Sequence, residues 1–194
     1  MHNPPILTPR EAADLVPDGA TISISSSSAL GCPDAALAGI GQRFVETQHP
    51  ASVTVYSPIA AGDMYGVDGI GHLAVKGLLA RIVAGSYPSG PSSAEPPAIW
   101  KMIDNDEVEA YNLPSGVLFQ MHRAGATGQP GVLSHVGLGT FVDPRQQGGR
   151  MNSATTDEIV FVEERAGRDW LFYPSVAPDA VSYTHLTLPT NREV

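Results

Sequence analysis

The sequence predicts an α/β fold: an open, mostly parallel sheet with helices on both faces. Short apolar strand patterns alternate along the chain with helical ones, the pattern of parallel strands joined by crossover helices. The 194 residues are 42% hydrophobic and 16% charged, enough for one domain with a real core. Proline, glycine and serine gather between the patterned segments rather than inside them.

The elements follow in order. Thr8-Pro9-Arg10-Glu11 is a helix start, with Thr8 as cap, Pro9 at the first helical position and Glu11 closing a capping box. Ala12, Ala13, Leu15 and Val16 continue that helix to the stop at Pro17-Asp18-Gly19. ATISIS alternates as a strand and ends in a serine-rich turn, Ser25 to Ser28. Pro33-Asp34 opens a second helix whose Leu37, Ile40 and Phe44 share one face. Ser52 to Tyr56 reads as a strand, Leu73 to Leu79 as a helix, and Arg81 to Ala84 as a short strand. SYPSGPSSAEPP is an exposed loop, and Ala98 to Ile103 starts another helix. Val108 to Tyr111 is a strand, and Gly116 to Ala124 a helix with Val117, Leu118 and Met121 inward. Glu158 to Glu163 and Trp170 to Tyr173 are strands, paired as a hairpin around Ala166-Gly167.

Composition narrows the function. A net charge of −9 argues against nonspecific nucleic-acid binding, which relies on basic residues neutralising phosphates. One cysteine, Cys32, rules out an internal disulfide and reads as a small hydrophobe rather than a nucleophile. The six histidines are scattered without zinc-ligand spacing, so no metal site is expected. No signal-peptide pattern and no run of ~20 apolar residues is present, so a cytoplasmic protein without membrane contact is expected.

The candidate sites are loops. VGLGTFVDPRQQGGRMN, Val136 to Asn152, is glycine-rich, but lacks the third glycine and following helix of a dinucleotide fingerprint. It fits either a tight link between strands or a backbone that approaches a ligand and presents bare N–H groups. Ser115 follows a strand and opens a helix, where it can cap, donate to a substrate oxygen, or both. Ser25 to Ser28 follow the first strand in the equivalent place, and the same two roles are open to them. No catalytic Ser-His-Asp or Cys-His pair follows from spacing, and His72 and His122 remain lone histidines.

Together these motifs resemble the class I CoA-transferases of the acetate/3-ketoacid type, in which two homologous halves are fused. The resemblance runs from about Leu7 to Ala180. It rests most specifically on YNLPSG, Tyr111 to Gly116, and on GLGTFVDP with its following Gly-Gly. It implies an acyl-CoA and a short-chain carboxylate as partners, with coenzyme A as substrate and no cofactor. It also implies homo-oligomers of the full-length protein and catalysis through a glutamyl-CoA intermediate, with that glutamate in a second half absent from this chain.

The first half supplies walls of the acyl pocket, which the resemblance places at Ser26, Ser27, Ser115, Gly116, Gly139 and Thr140. Relatives usually read Ser-Gly-Phe-x-Gly after the first strand, where this chain has Ser25 to Ala29. They often carry glutamine before Gly116, where this chain has the shorter Ser115. An acyl-CoA hydrolase or sugar-phosphate isomerase of the same fold is one alternative, and a non-catalytic ligand-binding domain another. Residues 181–194, VSYTHLTLPTNREV, resemble an in-frame translation of a sequencing-library adapter. The native domain is therefore expected over 1–180, with a non-native tail and a gene that continues differently.

Overall fold

The computed structural model describes residues 5–62, 66–88 and 96–182. Among these, β1 (Thr21–Ile24), β2 (Val53–Ser57), β3 (Leu79–Ala84) and β4 (Glu109–Asn112) form a parallel sheet. The short β8 (Ala180–Ser182) joins it beside β1, giving the order β4-β3-β2-β1-β8. β5 (Gly131–Ser134), β6 (Phe161–Arg165) and β7 (Arg168–Pro174) form a separate antiparallel sheet, ordered β5-β7-β6.

Alternation along the parallel strands divides the core in two. Ile22, Ile24, Val53, Val55, Ile82, Ala84 and Ala110 point to one face. Packed there are α1 (Pro9–Asp14), α2 (Asp34–Thr47) and α3 (Ala98–Asp104), through residues such as Ala13, Leu37, Phe44 and Met102. Val83 and Tyr111 point to the other face, against Val117, Leu118 and Met121 of α4 (Ser115–Ala126) and Leu171 and Tyr173 of β7. The expected mostly parallel sheet is therefore present, and α4 shares its second face with a small antiparallel sheet, in which the expected β6–β7 hairpin gains a third strand, β5, that the sequence did not suggest.

The capping box forms as expected. Glu11 N–H donates to Thr8 Oγ1 at 3.3 Å, and Thr8 N–H to Glu11 Oε2 at 2.8 Å. The hairpin of β6 and β7 also forms, turning at Ala166 and Gly167, though β6 starts at Phe161 rather than Glu158. The expected helix over Leu73 to Leu79 does not. A 3-10 helix, Gly69–Leu73, precedes it, and Gly77 at φ +89° turns the chain into β3. Three glycines in nine residues deny this segment the backbone stiffness a helix needs. Most of the predicted loop SYPSGPSSAEPP lies outside the described residues, as does the tail beyond Ser182. Val181 and Ser182 pair with Ser23 and Ile24.

The glycine-rich stretch forms a folded loop with a second role. Its end runs antiparallel along the free edge of β4. Asn112 N–H donates to Gly149 O at 2.8 Å, and Met151 N–H to Ala110 O at 2.9 Å. Asp143, 1% exposed, organises its middle. This carboxylate accepts the Gly139 N–H at 2.9 Å, the Arg145 N–H at 3.0 Å, and Arg145 Nε and Nη2 at 2.9 and 2.8 Å. The Arg145 side chain, then these N–H groups, hold the Asp143 carboxyl well below the usual carboxylate range, against the opposing effect of burial.

Two measurements check this. Asp143→Asn is expected to cost about 2–3 kcal/mol in urea unfolding at pH 7, since charged hydrogen bonds to a buried group are lost. A depressed folded pKa stabilises above the unfolded value of about 4, and that contribution fades as pH falls through the folded pKa. The gap between wild type and Asp143→Asn is thus expected to narrow below pH ~4. Separately, a Cβ on Gly41 would lie 2.3 Å from His72 O, where the 3-10 helix presses on α2. Gly41→Ala is expected to lower stability by about 1–3 kcal/mol by the same assay.

Candidate functional site

The carboxyl ends of β1 to β4 converge, and their loops are tied to one another by backbone. Ser28 N–H donates to Ala60 O and Gly62 N–H to Ser28 O, at 2.8 and 2.9 Å, joining the loops after β1 and β2. Gly85 N–H donates to Ser57 O at 3.1 Å, and Ala60 N–H to Ser86 Oγ at 2.9 Å, joining the loops after β2 and β3. Leu113 N–H donates to Ala84 O at 3.0 Å, bringing in the segment after β4. Gly85 is the wedge: a Cβ there would lie 2.2 Å from Ser115 Oγ and 2.3 Å from Pro58 O. Ligands of open α/β sheets bind at this edge.

Four of the six expected pocket residues sit here. Ser26 Oγ donates to Ala60 O at 3.2 Å, so its proton is spent on the loop after β2. Ser27 is exposed and closes a tight turn with Leu30 through paired backbone bonds of 2.9 and 3.0 Å. Ser115 is the first residue of α4 and not its cap, which is Pro114. Proline offers no side-chain acceptor, so the first N–H groups of α4, on Ser115 and Gly116, make no hydrogen bond to another described residue. Ser115 Oγ lies against Gly85, and Gly116 is exposed with open space where a Cβ would stand.

Gly139 and Thr140 lie on the glycine-rich loop, both exposed. The bare N–H expected at Gly139 is taken by Asp143, and Thr140 Oγ1 donates to Gly137 O at 2.7 Å. Among the described residues no hydrogen bond links these two positions to the serine loops. Gly149, further along, does reach the site's edge: a Cβ there would lie 2.8 Å from Leu113 Cδ2 and 3.0 Å from Asn112 O. Gly137 is held from the other side. Tyr173 Oη donates to Val136 O at 2.6 Å, and a Cβ on Gly137 would lie 2.6 Å from that oxygen.

A cavity of about 300 Å³ opens beside Ser25 and Ser26. Ile24, Pro58, Phe119 and Val181 wall it, and Ser23 and His122 complete its lining. Ser23 Oγ stands 2.8 Å from His122 Nε2, and His122 Nδ1 is 2.7 Å from Leu118 O. This pair had no sequence signal, because 99 residues separate its members. The one hint is a serine alternating with Ile22 and Ile24 in β1, on the face that α4 covers.

The other candidates lie elsewhere. His72 contacts Asp34 at 3.2 Å and Asp68 at 3.6 Å, where α2 meets the 3-10 helix. Burial, and then the nearby Asp34 charge, push the Cys32 thiol up to about 11, so it is not a thiolate at neutral pH. Among the described residues no group of three or more potential ligands is placed to hold a metal. No described helix is long and apolar enough to cross a membrane.

Residues 6–187 match the family model described as coenzyme A transferase. The chain is 34% identical over 177 residues to acetate CoA-transferase YdiF of Escherichia coli K12, covering 90% of this chain and 32% of that protein. It is 32% identical over 188 residues to caffeate CoA-transferase of Acetobacterium woodii, covering 97% and 34%. The crystal structure of acyl-CoA transferase YdiF from E. coli O157:H7, a thioester complex with CoA, matches it with a TM-score of 0.81 at 33% identity. That match covers 91% of this chain and 33% of the YdiF chain. The chain thus spans about a third of the length of these relatives. By its sequence, and by the fold it shares with YdiF, the chain belongs to the coenzyme A transferase family.

Proposed function

We propose that this chain is the N-terminal, α-like half of an acyl-CoA:carboxylate CoA-transferase for short-chain acyl groups. The observation that carries this reading is the backbone-tied edge of β1 to β4, with the open first turn of α4, in a chain of this family. The nucleophilic glutamate belongs to a complementary second half, and no residue of this chain takes its place. Its carboxylate attacks the thioester carbonyl, and the CoA thiolate leaves an acyl-glutamyl anhydride. The thiolate then attacks the glutamyl carbonyl, forming glutamyl-CoA and releasing the first carboxylate. The acceptor carboxylate runs the same steps in reverse, giving ping-pong kinetics.

Each addition puts negative charge on a carbonyl oxygen, which needs donors fixed in advance. In this reading the N–H of Gly116 is one such donor, favoured by the positive end of the α4 dipole. Ser115 Oγ, shorter than the glutamine frequent in relatives, donates through a water. Ser26 and Ser27 form the wall after β1. Gly139 and Thr140 form the wall from the glycine-rich loop, with Asp143 fixing that loop's shape.

Two results are expected. The chain joined to its second half transfers CoA from acetyl-CoA to a short-chain carboxylate, and loses this when the second-half glutamate becomes alanine. The 194-residue chain alone does neither, and turnover by it would overturn the reading. A thiol assay separates transfer from hydrolysis, which would release free CoA without an acceptor. In the joined protein, Ser115→Ala is expected to lower kcat roughly 10–100-fold with an unchanged melting temperature. That is less than the ~10²–10³ lost with a direct oxyanion donor, because a water carries part of the contact.

A further inference from the structure

We infer that Ser86 is a further substrate-binding residue, whose hydroxyl donates to the carboxylate substrate. This deepens the transferase reading and rests on it. Ser86 is exposed in the loop after β3 and follows Gly85, the glycine packed against Ser115. Its Oγ accepts the Ala60 N–H at 2.9 Å and donates to no described residue, so its own proton is left over.

That proton stands at the end of a relay. Ser57, 2% exposed, donates through Oγ to Ile59 O at 2.5 Å. Ile59 O and the Ala60 N–H belong to one peptide group, so the polarisation passes through it to Ser86 Oγ. A hydroxyl that already accepts a hydrogen bond is a stronger donor. The tie to Ala60 also fixes Oγ before a ligand arrives.

The edge around Ser86 suits an anion. Residues 25–31, 57–62, 85–88 and 112–116 contain no acidic residue, in a chain that carries 20. No like charge in these segments opposes a carboxylate, and the first N–H groups of α4 add to the donors. The same segments hold no lysine or arginine, so hydrogen bonds rather than an ion pair hold the ligand there. One oxygen of the acceptor carboxylate attacks glutamyl-CoA, and the other accepts from Ser86.

The test measures butanoate and CoA binding to the joined protein by calorimetry. Ser86→Ala is expected to weaken butanoate about five- to tenfold, the low end for a hydrogen bond to a charged group, and to leave CoA within about twofold. Ser86→Thr keeps the hydroxyl and is expected to bring butanoate back to within about twofold of wild type. Ser86→Asp keeps an acceptor for the Ala60 N–H but sets a like charge against the ligand. It is expected to weaken butanoate at least about tenfold, a loss that breaking the tie to Ala60 does not explain. Butanoate affinity that is equal in wild type and Ser86→Ala, that survives Ser86→Asp, or that is absent from wild type overturns the assignment. So does a CoA affinity that falls as far as the butanoate one, since it marks a reshaped edge. Transfer activity is read separately. Transfer by a joined protein whose butanoate affinity ignores Ser86 removes this assignment and leaves the transferase reading. Ser86-dependent binding without transfer does the reverse.

Discussion

A central parallel sheet has to bury both of its faces, and everything in this molecule follows from how that is done. One face is covered by α1, α2 and α3, the usual product of strand–helix–strand crossovers. Among the described helices only α4 packs on the other, too little to cover the sheet, and the antiparallel sheet around β7 completes it. Leu171 and Tyr173 do for Val83 and Tyr111 what a second helix would otherwise do. The glycine-rich loop is the connection between these layers. It leaves the small sheet after β5, is gathered by Asp143, and ends along the edge of β4. An exposed strand edge is thereby paired by the chain's own backbone.

Most of the fold was legible because it rests on local chemistry. Thr8 and Glu11 announce a helix start whatever surrounds them. Leu37, Ile40 and Phe44 mark the buried face of α2, and Ala166-Gly167 marks the tip of a hairpin. What stayed hidden depends on distant partners. Gly131 to Ser134 is too short and too mixed to announce β5, and becomes a strand only by pairing with Leu171 to Pro174. Leu73 to Leu79 has helical apolar content, but Gly77 and the close contact at Gly41 hold it in another shape.

The site divides in the same way. Ser115 and Gly116 were placed by a strand–loop–helix pattern and lie where that pattern puts them. The capping role open to Ser115 was not realised, because Pro114 already occupies the cap position. The N–H of Gly139 looked free to meet a ligand and is instead spent on Asp143, a partner four residues away. Ser23 and His122 meet only because α4 crosses the second face over β1, a fact of packing that no spacing in the sequence encodes.

Gly85 has a consequence for how such a site can change over time. The edge closes there because a hydrogen stands where any side chain would strike Ser115 and Pro58. The shape of this edge is thus set by a missing side chain and by backbone ties between the loops after β1 to β4. Ser26 ties its loop to Ala60 O and Ser115 Oγ packs on Gly85, so of the three serines expected in the pocket only the exposed Ser27 stands apart from this closure. A change at Gly85 costs the scaffold first. A lineage built on such an edge has to keep that glycine before it can vary what surrounds it.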